Sequence, residues 1–480
     1  MSEIGATPTA ARLTARTAII AAILLTAATP PVLADPPIVA DPPVRTDPPT
    51  ADGAPLAGLL TDYFKGTSAD QRSRLARKIE AIDGITVAQV AAALPSLPLW
   101  PDQDPGIQTL RVDCPRNRRP PHATTVHIRI PDRYDATQPY PLILALHGSG
   151  GNGEHFLPAV ARWLGDEVND YVIAAPTDYT GVWLGSRQTE SQDLPTILTA
   201  IKHACHVDGD RVYITGYSLG GHASFVIAAL YGDYFAASVS LAGTFALQSG
   251  WEAVELLLPN LRDVPVLAIY GELDRNDRGG ARDENSGISG SNRHLARMLQ
   301  RIDAPIQFIE LPGVGHRGVQ PPHDRLIDMF SRRRPHDRRV VHHWFRYPAQ
   351  GGAGWIRQDK FFGRMWRSQR LVVTPAANQT YSEAMTAALK DRLAFVGGTI
   401  EGQTIRIRTR KCARVQVLLN SDLIDLGKPI TLYMDGTRRF SGPVSPRIAT
   451  MLEMARRDWD FDRLWSVRFE IDRDGRAIAH

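Results

Sequence analysis

Cysteine is scarce: the 480 residues hold three, Cys114, Cys205 and Cys412. So few thiols cannot staple a chain of this length, and its stability must rest on a buried core. An odd count leaves at least one thiol outside any disulfide. Three buried thiols and one bridge both fit, with Cys114 and Cys205 sharing one predicted domain. Charge of one sign is lacking too. Lys and Arg number 55 against 51 Asp and Glu, a net charge of +4, and no basic-aromatic motif accompanies it, so nucleic acid is not an expected partner. The fourteen histidines form no cluster with metal-ligand spacing, and neither a metal nor a cofactor is expected. The apolar run at 18–28 is short for a membrane span.

That run has another use. Arg12 and Arg16 precede it and Val32-Leu33-Ala34 follows it, the layout of a secretory signal peptide over 1–34, which places the protein outside the cell or in the periplasm. An uncleaved anchor is the competing reading, and membrane contact is expected only in that case. Asp-Pro-Pro then recurs every six residues, at Asp35, Asp41 and Asp47. Proline fixes φ and removes donors, so 35–54 reads as an extended linker. Over 55–104, apolar residues at near-helical spacing (Leu56, Leu59, Leu60, Tyr63, Phe64; Leu75, Ile79, Ile82, Ile85) predict a small helical segment packed on the main domain.

From 105 to 340 the pattern alternates. Strands are predicted at 125–130, 142–146, 171–175, 211–215, 237–241, 264–270 and 306–311, with helices at 193–205, 223–231, 291–302 and 324–330 between them. Several strands are almost unbroken apolar runs, as a mostly parallel sheet covered by helices on both faces requires; the class is α/β. Over 341–480, strands at 404–410, 413–419, 430–433 and 464–471, a turn at Met434-Asp435-Gly436 and a helix at 447–459 predict a separate, mostly β accessory domain. Its basic residues Arg406, Arg408, Arg410, Lys411 and Arg414 read as a solvated sheet face, the alternative being a stripe for an anionic glycan.

The chemistry centres on Gly216-Tyr217-Ser218-Leu219-Gly220. A β-branched and aromatic run precedes this Gly-x-Ser-x-Gly and an Ala-rich apolar run follows, giving strand, sharp turn and helix. The turn projects the serine hydroxyl, and its crowded backbone leaves space only for small residues at Gly216 and Gly220. Acyl transfer also needs a base, a group to orient it and donors for the oxyanion. His316, on a glycine-flanked loop just past a strand, is the candidate base. Asp274, beyond the strand ending at Tyr270, is the orienting carboxylate; Glu272, Asp277 and Asp283 are less well placed rivals. The loop His147-Gly148-Ser149-Gly150-Gly151 offers Gly148 or Ser149 as oxyanion donors, joined by Leu219 at a helix N-terminus. No Gly-Lys-Ser/Thr ending follows it, which argues against a phosphate loop. His222 falls behind the serine. Tyr217, Tyr179 and Trp183 are the candidate pocket residues, with core packing the other reading of the last two, and the loop 275–292 is a candidate rim.

The order Ser218, Asp274, His316 resembles that of α/β-hydrolases. Residues 105–335, including Val207-Asp208-Gly209-Asp210-Arg211-Val212-Tyr213 and Phe235-Ala236-Ala237 through Leu241-Ala242-Gly243, are similar to those of the esterase, dienelactone-hydrolase and prolyl-oligopeptidase-like group, including polyhydroxybutyrate-depolymerase-like and feruloyl or acetyl-xylan esterases. The resemblance implies an eight-stranded α/β-hydrolase fold and serine-esterase chemistry. Dienelactone hydrolases carry cysteine where Ser218 stands, which disfavours that activity. The expected function is cleavage of carboxylic esters through an acyl-enzyme, on small-molecule or polysaccharide substrates. A prolyl-oligopeptidase-type peptidase is one alternative, although few residues precede 107 for the propeller such enzymes carry. The other is a binding or scaffold protein with a vestigial core.

Overall fold

The computed structural model describes residues 50–51, 54–114, 122–177, 193–245, 247, 250–275, 287–362, 371–475 and 477–480. The expected signal peptide and nearly all of the Asp-Pro-Pro linker lie outside them, while Pro48–His480 forms one compact unit. No described helix is long and apolar enough to cross a membrane.

Two short strands, β1 (Thr50–Ala51) and β2 (Ala54–Pro55), lead into three helices, α1 (Leu56–Lys65), α2 (Ala69–Glu80) and α3 (Val87–Ala93). Local chemistry sets their starts: the Ser68 hydroxyl accepts the Gln71 N–H, and Thr86 with Gln89 forms a reciprocal capping box.

The central sheet follows, built from β3 (Gly106–Cys114), β4 (His122–Ile130), β5 (Tyr140–Leu146), β6 (Val172–Thr177), β7 (Val207–Tyr217), β8 (Ala237–Leu241), β9 (Val266–Gly271) and β10 (Ile306–Leu311). Their order is β10-β9-β8-β7-β5-β6-β4-β3. Strands β5 to β10 are parallel, and β3 and β4 add antiparallel strands at one edge. Helices α4 (Gly153–Leu164), α5 (Leu194–Ala204), α6 (Leu219–Leu230), α7 (Trp251–Leu257) and α8 (Gly287–Met298) connect them, and α9 (His323–Phe330) follows β10. The sheet's two faces feed two apolar clusters, one around Leu144, Ile214 and Phe225, the other around Ile143, Tyr213 and Ile269. Each such fully buried side chain contributes about 1.5–3 kcal/mol.

This is the expected α/β architecture, with differences at its margins. The edge strand β3 was not predicted, because its burial alternates and its sequence lacks an apolar run. Helix α8 begins four residues before the predicted 291 and ends at Met298, since the N–H groups of Ile288 and Ser289 are tied to the Asp274 carbonyl. All three cysteines are buried thiols and none forms a disulfide.

Beyond β10 come β11 (Val340–Phe345), β12 (Gly352–Ala353), β13 (Ile356–Phe361), α10 (Tyr381–Arg392), β14 (Ala394–Glu401), β15 (Thr404–Arg410), β16 (Cys412–Leu419), β17 (Ile430–Met434), β18 (Thr437–Gly442), α11 (Ile448–Asp458), β19 (Val467–Asp472) and β20 (Ala477–Ala479). They form two five-stranded sheets, β11-β14-β15-β17-β18 and β12-β13-β16-β19-β20, around Trp355, Phe345, Val417 and Phe469. Asp435 and Gly436 both take positive φ, 50° and 80°, in the turn between β17 and β18, as a two-residue hairpin demands. Arg406, Arg408 and Arg410 lie exposed on β15 while Ile405 and Ile407 face the core.

The helical segment packs differently from expectation. Leu56, Leu60, Ile79 and Val90 share a cluster with Met451, Leu452, Trp459 and Phe461, so α1–α3 sit chiefly on α11 of the C-terminal region. Trp100 ties this cluster to the sheet: its ring stacks on His206 at 3.5 Å and its Nε1 donates to the Lys202 carbonyl at 2.8 Å.

Candidate active site

Strand β7 ends at Tyr217 and α6 begins at Leu219, leaving Ser218 alone to turn the chain. Its backbone sits at φ 57°, ψ −114°, a strained conformation for a residue with a side chain, costing about 1–3 kcal/mol. Neighbours hold it there: the Ser218 N–H donates to the Leu241 carbonyl, and the His222 N–H to the Ser218 carbonyl, both at 2.9 Å. The turn is tight enough that a Cβ on Gly216 would lie 2.3 Å from the Gly220 carbonyl oxygen, and one on Gly220 1.9 Å from that of Leu146. These glycines let the elbow form and lift Oγ clear of the sheet.

Two other strand ends bring side chains to it. Strand β9 stops at Gly271 and Asp274 follows, buried; β10 stops at Leu311 and the loop Gly313-Val314-Gly315 delivers His316. His316 Nε2 stands 2.8 Å from Ser218 Oγ and Nδ1 stands 2.8 Å from Asp274 Oδ2. The imidazole side chain is 39% exposed and the carboxylate 10%, so a substrate can reach the first and not the second. This geometry lets the imidazole take a proton from Oγ while the carboxylate fixes its tautomer and stabilises the cation that forms.

Strand β5 pairs with β7 through Leu146 and Gly216. The chain leaves β5 for β6 on one side and returns to β7 on the other, a topological switch point, where open parallel sheets place their sites. The loop 147–151 therefore lies beside Ser218. Gly148 is its nearest part: a Cβ there would come 3.3 Å from the Tyr217 carbonyl oxygen and 3.5 Å from Ser218 Cβ. The Gly151 N–H closes the turn on the Gly148 carbonyl at 3.1 Å, with Gly150 at φ 74°. Ser149 is exposed at the turn's tip. Leu219 is the first residue of α6, so its N–H has no carbonyl four residues back and lies at the positive end of the helix.

No family model matches the chain. Over 205 residues, 40% of this chain and 76% of the relative, it is 25% identical to a protein of Aspergillus terreus named probable feruloyl esterase C. Over the same length and shares it is 26% identical to the feruloyl esterase C of Emericella nidulans. Among solved structures, the acetyl xylan esterase from Aspergillus awamori superposes with a TM-score of 0.35 at 16% identity, covering 47% of this chain and 99% of that one. Over these 205 residues the chain is similar to esterases.

The other predicted residues have varied positions. Tyr179 and Trp183, with the rivals Asp277 and Asp283, lie outside the described residues. Tyr217 is directed at His316 rather than at open space: its hydroxyl donates to the His316 carbonyl, and its ring meets the imidazole edge-on at 5.9 Å. Burial, and then the Asp274 charge, push its phenol pKa up, so it remains a donor. Glu272 proves structural, accepting the Gly313 N–H at 2.8 Å and bracing the loop of His316. His222 is half-buried behind the elbow and its Nδ1 accepts the Thr244 N–H at 3.0 Å, and loss of water around the ring lowers its pKa and keeps it neutral. Sequence reasoning missed Asn292, whose Nδ2 donates to the Gly243 carbonyl from a fully buried position on α8. A polar residue on the apolar face of a predicted helix was the available signal.

Among the described residues one carboxylate group has oxygens within 4.8 Å of one another: Asp208, Asp210 and Asp462. Asp208 and Asp210 stand at the start of β7, Asp210 eight residues or about 25 Å from Ser218 along the strand, and Asp462 follows α11. Arg211 reaches Asp208 at 2.6 Å, and Arg334 and His336 reach Asp210 at 3.0 and 2.7 Å, so neighbouring cations pair with two of the three carboxylates.

Proposed function

We propose that Ser218, His316 and Asp274 are the catalytic triad of an exported serine esterase that removes acyl groups from polysaccharides. Ser218 Oγ attacks the ester carbonyl carbon while His316 Nε2 takes its proton. Negative charge moves to the carbonyl oxygen, where the N–H groups of Leu219 and of the Gly148-Ser149 turn receive it; losing one such donor costs about 2.7–4 kcal/mol. Collapse of the tetrahedral intermediate breaks the bond to the alcohol, which leaves with the proton from His316. Water repeats the sequence on the acyl-enzyme and frees the acid. Asp274 orients the imidazole throughout.

The observation that carries this reading is the imidazole bridging the serine hydroxyl and the buried carboxylate at 2.8 Å on each side. The names of the relatives favour a feruloyl, hence aromatic, acyl group, and the predicted signal peptide favours export. The test compares turnover of p-nitrophenyl acetate, methyl ferulate, acetylated xylan and an aminoacyl p-nitroanilide. Cleavage of the esters with little action on the amide is expected; faster cleavage of the amide would replace the esterase reading with the peptidase one.

A further inference from the structure

The loop beyond β10 carries Gly313, Gly315 and Gly318 around the candidate base. Glycine has more backbone freedom to lose than any other residue, so such a loop needs outside contacts to hold one shape. Upstream of His316 they come from the loop of Asp274: Glu272 accepts the Gly313 N–H, and the Val314 carbonyl accepts the Leu273 N–H. These bonds set the imidazole against its carboxylate. Neither touches the elbow that carries Ser218. At His316 the backbone makes a single 3₁₀ turn, His316–Gly318, in which the Gly318 N–H meets the Gly315 carbonyl at 3.1 Å. The Tyr217 hydroxyl lies at the mouth of this turn: it donates to the His316 carbonyl, and the Val319 N–H lies beside the same oxygen. Val319 is fully buried and anchors the far end of the turn in the apolar cluster around Ile143 and Ile269.

We propose that Tyr217 is a positioning residue that holds His316 Nε2 on the Ser218 hydroxyl. The inference rests on the triad reading above and gives Tyr217 a different task from the pocket role expected of it. Tyr217 directly precedes Ser218 at the end of β7, so its backbone moves with the nucleophile while its hydroxyl grips the peptide of the base. A phenol ring joins the two ends, and a tyrosine has few torsions through which they could drift apart. The tie is stiff. The same ring meets the imidazole edge-on at 5.9 Å and opposes its rotation out of line. A hydroxyl whose one proton is committed to a backbone carbonyl cannot also donate to an ester oxygen, which separates this role from oxyanion stabilisation. The work is thus divided: bonds between the two loops set base against acid, and Tyr217 sets base against nucleophile.

The rate at which a fluorophosphonate modifies Ser218 reads the contact between base and nucleophile, whereas the endpoint counts folded sites. In Tyr217→Phe, which keeps the ring, the endpoint is expected to match the native protein while the rate constant falls about tenfold. With p-nitrophenyl acetate, kcat is expected to fall about as far at unchanged KM. The rate constant is read per folded site, so a variant that folds only in part still reports it. Tyr217→para-aminophenylalanine keeps an N–H donor where the hydroxyl stood, and is expected to recover the native rate to within about threefold. A Tyr217→Phe rate constant within about twofold of the native one, or a loss that para-aminophenylalanine does not recover, overturns the proposal. Failure of the triad reading looks different: the native protein itself would then take no adduct on Ser218.

Discussion

Gly271 lies hard against Val314: a Cβ on Gly271 would come 2.2 Å from the Val314 carbonyl oxygen. The contact joins the loop of Asp274 to the loop of His316. Around it the Glu272 N–H donates to the Leu311 carbonyl at 3.0 Å and the Leu273 N–H to the Val314 carbonyl at 2.9 Å. The distance between carboxylate and imidazole is thus fixed by backbone rather than by two mobile side chains. Gly271→Ala must part the loops; destabilisation of about 1–3 kcal/mol is expected, as for other overpacked sites. A fall in kcat larger than the fall in folded fraction, measured by urea unfolding and ester kinetics, is the expected signature.

Asp274→Asn keeps the shape of the site but removes the charge that stabilises the imidazolium and allows the wrong tautomer. A drop in kcat of about 10⁴-fold with little change in KM is expected. Ester kinetics on the purified variant check it, and a loss under tenfold would shift the orienting role to another group.

Asp233 is fully buried and gripped by Arg463 through two bonds of 2.8 and 2.9 Å. Burial alone would raise its pKa, but Arg463 and Arg357 outweigh that and hold it well below the usual carboxylate range. Arg463→Met leaves the carboxylate poorly paired, and a loss of about 3–5 kcal/mol in unfolding free energy is expected. Adding Asp233→Asn in the same protein should recover part of it, as a double-mutant cycle would show.

Asp462 behaves in the opposite way. Burial, then the nearby Asp460 and Asp208 charges, push its carboxyl up to about 6. The folded state therefore holds this proton more tightly than the unfolded chain does, and ionising the group costs stability as pH rises from about 4 to 6. Below that window the cost is absent and above it complete. The Arg211, Arg333 and Arg334 cations and His336 pair instead with the neighbouring Asp208 and Asp210. Asp462→Asn, which can still accept the Gly209 N–H, should stabilise the protein by about 1–2 kcal/mol at pH 8 and by nothing at pH 4. Thermal melts across that range check it; an equal gain at both ends would assign the effect to something other than titration.

The parallel strands were legible because burial on both faces turns them into apolar runs, and the site's loops because glycine marks each close approach. Strand β3 was not, since an edge strand alternates and reads as surface. Strand β14 was missed for another reason: Gly397 and Gly398 interrupt its apolar pattern, and only the folded structure shows Phe395 and Trp355 filling the space above them. The ion network was invisible because its partners lie far apart, with Asp233 and Arg463 separated by 230 positions. Spacing likewise cannot show that α11 packs on α1 and α2, a contact spanning most of the chain. Ser218, Asp274 and His316 could be named because each follows a strand end, and strand ends of a parallel sheet share one edge.

The central claim is that the hydroxyl of Ser218 is the nucleophile. Treating the protein with a fluorophosphonate and mapping the adduct by peptide mass spectrometry tests it most directly. A single adduct on Ser218, absent in Ser218→Ala together with ester hydrolysis, is the predicted result. An adduct on another residue, or ester hydrolysis undiminished in Ser218→Ala, would contradict it.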